Sequence, residues 1–128
     1  MNRLNVRLLQ AAVALGCVVP LLAGGAGMAL GLEMLGAQAV PDLDSHYRYL
    51  SGLLFAIGLG FASTIPRIAI HGARFRLLTA IVVCGGLGRL VSLLVMGPPS
   101  LAMTAALAME LVVTPALALW QYRVAQNQ

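Results

Sequence analysis

Four apolar runs, at residues 8–30, 49–65, 77–96 and 101–120, take up most of the chain. Each is close to the ~20 residues that a helix needs to cross a hydrocarbon core ~30 Å thick. In lipid every backbone N–H and C=O must be satisfied internally, so runs of this kind fold as helices. A soluble helical domain fails on charge: 60% of the residues are hydrophobic and 9% charged, where a soluble domain has about 45–50% and about 25%. Eight basic and four acidic side chains cannot coat a water-facing surface. The expected fold is all-α: a polytopic membrane protein, a four-transmembrane-helix bundle forming one membrane domain over residues 1–128.

The connections set the expected orientation. The first, "GLEMLGAQAVPDLDSHYR", is long and acidic, and Pro41 breaks any helix that would continue through it. The second span is the shortest, one that would thin the bilayer or stand nearly upright. The second connection, "PRIAIHGARFR", holds Arg67, Arg74 and Arg76, and the third is the tight turn "GPPS". Arg3, Arg7, Arg67, Arg74, Arg76 and Arg123 fall on one side, and Arg48 falls on the other with Glu33, Asp42 and Asp44. The positive-inside rule then places both termini in the cytoplasm. Tyr47 and Tyr49 at one end, and Trp120 and Tyr122 at the other, take headgroup-level positions. The start, "MNRLNVRLLQAAVALGC", has the basic and apolar regions of a signal peptide, and "ALGC" faintly resembles a lipoprotein cleavage site. Cleavage would spoil the charge symmetry, so an uncleaved first helix is expected.

The net charge of +4 comes from arginines spread over the ends of apolar runs. A nucleic-acid surface needs them clustered with polar or aromatic readers, so no nucleic-acid partner is expected. Cys17 and Cys84 lie far apart in apolar runs, with no metal-ligand spacing, and read as small buried hydrophobes. No cofactor and no metal site is expected.

Helix contact in lipid relies on small residues that let backbones approach. Gly27 and Gly31 form a GxxxG pair in the first span, and Gly52, Ala56, Gly60 and Thr64 a stripe in the second. Cys84, Gly88 and Ser92 line the third, and Ala102 and Ala106 lead to Glu110 and Thr114 in the fourth. Pro20 and Pro115 lie within spans and each removes a backbone hydrogen bond, which tends to kink the helix.

Two charges lie inside the spans. Arg89 is nine residues before Pro98 and Glu110 ten beyond Ser100, depths of roughly 13 and 15 Å at ~1.5 Å per residue. A charge at the bilayer centre costs about 2.5–3.5 kcal/mol on insertion scales. Pairing Arg89 with Glu110 across the hairpin is the economical arrangement. The pair serves either to hold helix register or as a polar site for a lipophilic ligand.

A second polar cluster, Asp42, Asp44, His46 and Arg48, belongs to the outer surface. Asp-x-Asp-x-His offers metal ligands without a fixed geometry. The stronger reading makes Asp44 or Ser45 the cap of the second helix. His71 reads as solvated or in contact with headgroups, and the chain has no nucleophile elbow, Walker sequence, dinucleotide fingerprint or haem-attachment motif.

The segments "DSHYRYLSGLLFAIGLGFASTIPRI", "FRLLTAIVVCGGLGRLVSLLVMGPPS" and "MELVVTPALALWQ" carry a resemblance over nearly the whole chain. It is to the DUF4345 family, bacterial membrane proteins grouped as a domain of unknown function. The matching features are His46 to Tyr49, Arg89 within GGLGRL and Glu110 within MEL. The resemblance implies a four-helix integral membrane protein and no particular activity; the expected place is the bacterial inner membrane. A looser similarity to DoxX-like four-helix proteins rests on size and layout.

Two function classes remain as expectations. One is an accessory or scaffold subunit of a larger membrane complex or homo-oligomer, surrounded by membrane lipids and without a catalytic residue. The other is a binding protein or enzyme for a lipid, sterol-like molecule or quinone at Arg89 and Glu110. A transporter ranks third, because four short helices would have to oligomerise.

Overall fold

A computed structural model describes residues 3–38 and 40–127. Among them there is no strand, and four helical stretches are long and apolar enough to cross a membrane. The protein is therefore an all-α, multi-pass membrane protein. Helix α1 spans Arg3–Leu30 and continues as a 3-10 turn over Gly31–Leu35. Helix α2 spans Pro41–Ala62, followed by a 3-10 turn at Ile65–Arg67, and α3 spans Gly72–Met96. The last stretch is divided into α4, Leu101–Ala108, a π-helical turn at Met109–Val113, and α5, Thr114–Gln126.

The second span differs from the sequence reading. It runs over Pro41–Arg67, 27 residues, its first two turns carrying Asp42, Asp44, His46 and Arg48. No helix continues through Pro41, which starts α2: a proline at the first helical position loses an N–H that has no partner there, and its φ is already helical. Asp42 and Asp44 in the first turn favour the positive end of the helix dipole. The cap is Val40, in an extended conformation with no side-chain bond, and neither Asp44 nor Ser45 serves that role.

The prolines within spans also separate. Helix α1 passes through Pro20 unbroken. Pro115 follows the π turn, where the Thr114 N–H bonds Met109 O, five residues back. The Thr114 hydroxyl donates to the same oxygen at 2.8 Å. The wider turn is the local answer to the N–H that proline lacks.

The chain forms two compact units. One, Gln10–Pro66, is an antiparallel pair made by most of α1 and by α2. At one end Gln10 Nε2 donates to Ile65 O at 2.7 Å. Further along, a Cβ on Gly58 would lie 3.1 Å from Leu21, and one on Gly24 would lie 2.6 Å from Phe55 N and 2.9 Å from Ser51 O. The Ser51 side chain fills the place of a Cβ on Gly27, and Asp44 and Arg48 fill that of Gly31. The glycines at 24, 27 and 31 thus form one groove that receives α2.

The other unit joins the first turns of α1, up to Leu9, with everything from Arg67 onward. Here α3 lies along α4, the π turn and α5. Phe75, Ile68, Val124 and the amide of Gln121 are buried. Gln121 Nε2 donates to Ile68 O at 2.9 Å, and Trp120 Nε1 donates to Asn5 Oδ1 at 2.8 Å. Those two bonds tie the start of α1, the approach to α3 and the end of α5 together.

The remaining small-residue positions fall differently from the stripes read in the sequence. Gly52 makes only ordinary contact with Met28, Ala56 is exposed and Gly60 is half-buried. A Cβ on Gly88 would meet nothing within 4 Å, and the close approach on α3 is at Gly86. Four-residue spacing selects a face but not which face meets a neighbour. Both cysteines are free thiols, Cys17 buried and Cys84 exposed; one step around α3 takes Cys84 off the packed side.

Candidate functional site

The site is built by the α3–α4 hairpin. Gly97 takes a φ of +89°, a conformation that favours glycine, and ends α3. Pro98 and Pro99 cannot extend it. Ser100 then caps α4, its Oγ accepting from Met103 N at 3.4 Å. This short reversal brings Arg89 and Glu110 to a common level on antiparallel neighbours.

Arg89 Nε donates to Glu110 Oε1 at 3.0 Å. Gly86, one helical turn before Arg89, makes the approach possible: a Cβ there would lie 2.7 Å from Leu111 Cδ2 and 2.9 Å from Glu110 Cβ. Glu110 stands in the first turn of the π-helical segment. Arg89 Nη1 also donates to Met103 Sδ at 3.1 Å. Thioether sulfur is a weak acceptor, and the Arg89 side chain stays 39% exposed against 18% for Glu110. Glu110 Oε2 is buried and has no hydrogen-bond partner. The site is thus half closed: one carboxylate oxygen is engaged and one orphaned, and part of the Arg89 side chain faces outward.

The outer cluster resolves into a clamp and two bystanders. Asp44 Oδ1 accepts from Leu32 N at 2.8 Å, and Oδ2 accepts from Arg48 Nε at 2.7 Å. Arg48 Nη1 donates to Met28 O at 2.7 Å and Ala29 O at 2.8 Å, carbonyls in the last turn of α1. Asp44 and Arg48 therefore fasten the end of α1 to the first turns of α2. Asp42 and His46 are exposed, and the His46 ring lies 6.5 Å from that of Tyr49. Among the described residues no three His, Cys, Asp or Glu side chains come together as metal ligands. His71 is the N-cap of α3 and makes no side-chain cap bond.

Several contributors escaped the sequence reading. Gly24 and Gly86 each sit beside a second glycine, in "AGGAG" and "CGGLG", and nothing local says which of two neighbours faces inward. Gln10 and Gln121 had a visible signal, a lone amide in an apolar run, which calls for a carbonyl partner.

The family model described as "Domain of unknown function (DUF4345)" matches residues 8–121. Searches of curated proteins and of solved structures return no match.

Proposed function

The chain belongs to the DUF4345 family, and on that premise we propose that it is a non-catalytic accessory or scaffold subunit of a larger membrane complex. Its proposed place is the bacterial inner membrane with both termini in the cytoplasm, the orientation that the arginine distribution favours. One observation carries the reading. Arg89 spends Nε on Glu110 and still keeps 39% of its side chain exposed, at a depth where acyl chains supply no acceptor. A neighbouring subunit's helix supplies backbone or side-chain oxygens at that depth. With the pair in direct contact, the carboxylate is committed to a partner, not held ready as a base.

The test is purification from the native membrane in mild detergent, with the mass of the intact particle measured. A stoichiometric assembly that falls apart in Arg89→Gln is the expected result. A wild-type monomer holding only lipid sinks the proposal. A second reading, a binding protein for a lipophilic molecule with a hydroxyl group, is favoured by the orphaned Glu110 Oε2. Its sign is a sterol-like or quinol molecule extracted with wild type and lost in Glu110→Gln.

A further inference from the structure

The unit that holds Arg89 and Glu110 has a second charged region, at its opposite end. Arg3, Arg7, Arg67, Arg74, Arg76 and Arg123 are all exposed. They come from separate stretches of chain gathered by two hydrogen bonds. Trp120 to Asn5 sets the start of α1 beside the end of α5, and Gln121 to Ile68 sets the approach to α3 beside the same turn. Glu110 is the one acidic side chain in this unit. It lies thirteen residues before Arg123, roughly 20 Å away at ~1.5 Å per residue, and is occupied by Arg89. The six guanidinium groups thus share one end, away from that acidic side chain.

Local geometry adds to the positive field. A Cβ on Gly72 would lie 3.2 Å from Arg76 Nη1, so the Arg76 side chain turns back over the N-terminal turn of α3. That turn carries the positive end of a 25-residue helix, and His71 puts no side-chain acceptor on it. The chain contains no lysine. Orientation in the membrane needs only positive charge, which either residue gives, whereas the planar guanidinium also meets phosphate oxygens with two parallel hydrogen bonds.

We propose that this end of the protein binds the phosphodiester headgroups of anionic phospholipids, drawn from the leaflet in which it lies. The position argues for lipid as the source of the phosphate. The arginines cap membrane-spanning helices, and the Trp120 indole, held by Asn5, lies among them at the level where aromatic rings meet headgroups. A polybasic segment next to a membrane gains about 1 kcal/mol per arginine from anionic lipid, which is about a fivefold change in local enrichment for each.

Trp120, the chain's one tryptophan, is the probe. The full-length protein is reconstituted in mixed phosphatidylcholine and phosphatidylglycerol vesicles, with bromine on the acyl chains of one lipid or the other. Stronger quenching by brominated phosphatidylglycerol at equal mole fraction is expected. The combined Arg74→Gln, Arg76→Gln, Arg123→Gln variant should bring the two lipids to equal quenching. Replacing the same three by lysine keeps the charge and should give a preference weaker than wild type. Equal quenching in wild type, or a preference that survives the glutamine variant, overturns the proposal. A lysine variant equal to wild type overturns the guanidinium recognition. Excess inorganic phosphate should leave the preference unchanged, and displacement by it would reassign the site to a soluble anion.

Discussion

The two units solve the problem of holding helices together in lipid by different means. Between α1 and α2 polar bonds fasten the two ends, and the close approach itself relies on absence of side chain: Gly24, Gly27, Gly31 and Gly58 let backbone meet backbone or a neighbour's side chain. In the other unit it is polarity: a buried amide on a carbonyl, an indole on an amide, and an arginine on a glutamate. Glycine packing is unforgiving of volume and indifferent to charge, and polar packing is the reverse. The glycine contact at Gly86 in the second unit serves the charge pair.

Volume added to the glycine groove should therefore have the largest effect. Gly24→Leu puts a branched side chain where even a Cβ meets Phe55 N at 2.6 Å, backbone that cannot swing aside. A loss of about 3 kcal/mol or more is expected, at the upper end of overpacking costs, read as a lowered unfolding midpoint in detergent. A midpoint within error of wild type would mean that the groove is not close-packed.

Charge removed from the polar unit comes next. Glu110→Gln strands the Arg89 guanidinium and should cost about 2–3 kcal/mol, near the insertion penalty of a lone charge. Arg89→Met combined with Glu110→Gln should recover most of it, because the uncompensated charge is gone. A double variant as unstable as the two single losses summed would show that the residues act independently.

The smallest change tests where the polar unit does not use glycine. Gly88→Ala adds a methyl in open space and should leave stability unchanged or raise it by about 0.5–1 kcal/mol, the helix preference of alanine over glycine. Marked destabilisation there would restore Gly88 to a packed face and blur the contrast between the units.

The candidate site was legible in the sequence to the extent that arithmetic along a hairpin allows. The turn at "GPPS" and a fixed rise per residue bring Arg89 and Glu110 to one depth before any coordinates are known. The π turn that holds Glu110, closed by two bonds from Thr114 to Met109 O, was not legible. The polar segment "DLDSHYR" misled as well. Its residues look like loop, yet Asp44 and Arg48 spend their polarity on the backbone of α1, and the helix extends past the apolar run.

The sequence by itself determined the class of the protein. Hydropathy and length act residue by residue, and no packing detail can make 60% apolar residues dissolve in water or leave lipid-facing backbone unpaired. Only the tertiary structure decided which glycine faces a neighbour, Gly24 and Gly86 in place of Gly52 and Gly88, and which carboxylate meets which arginine. A helix repeats every ~3.6 residues, so adjacent positions differ by a rotation of ~100°. That rotation is set by the neighbour across the interface and not by the segment that carries it.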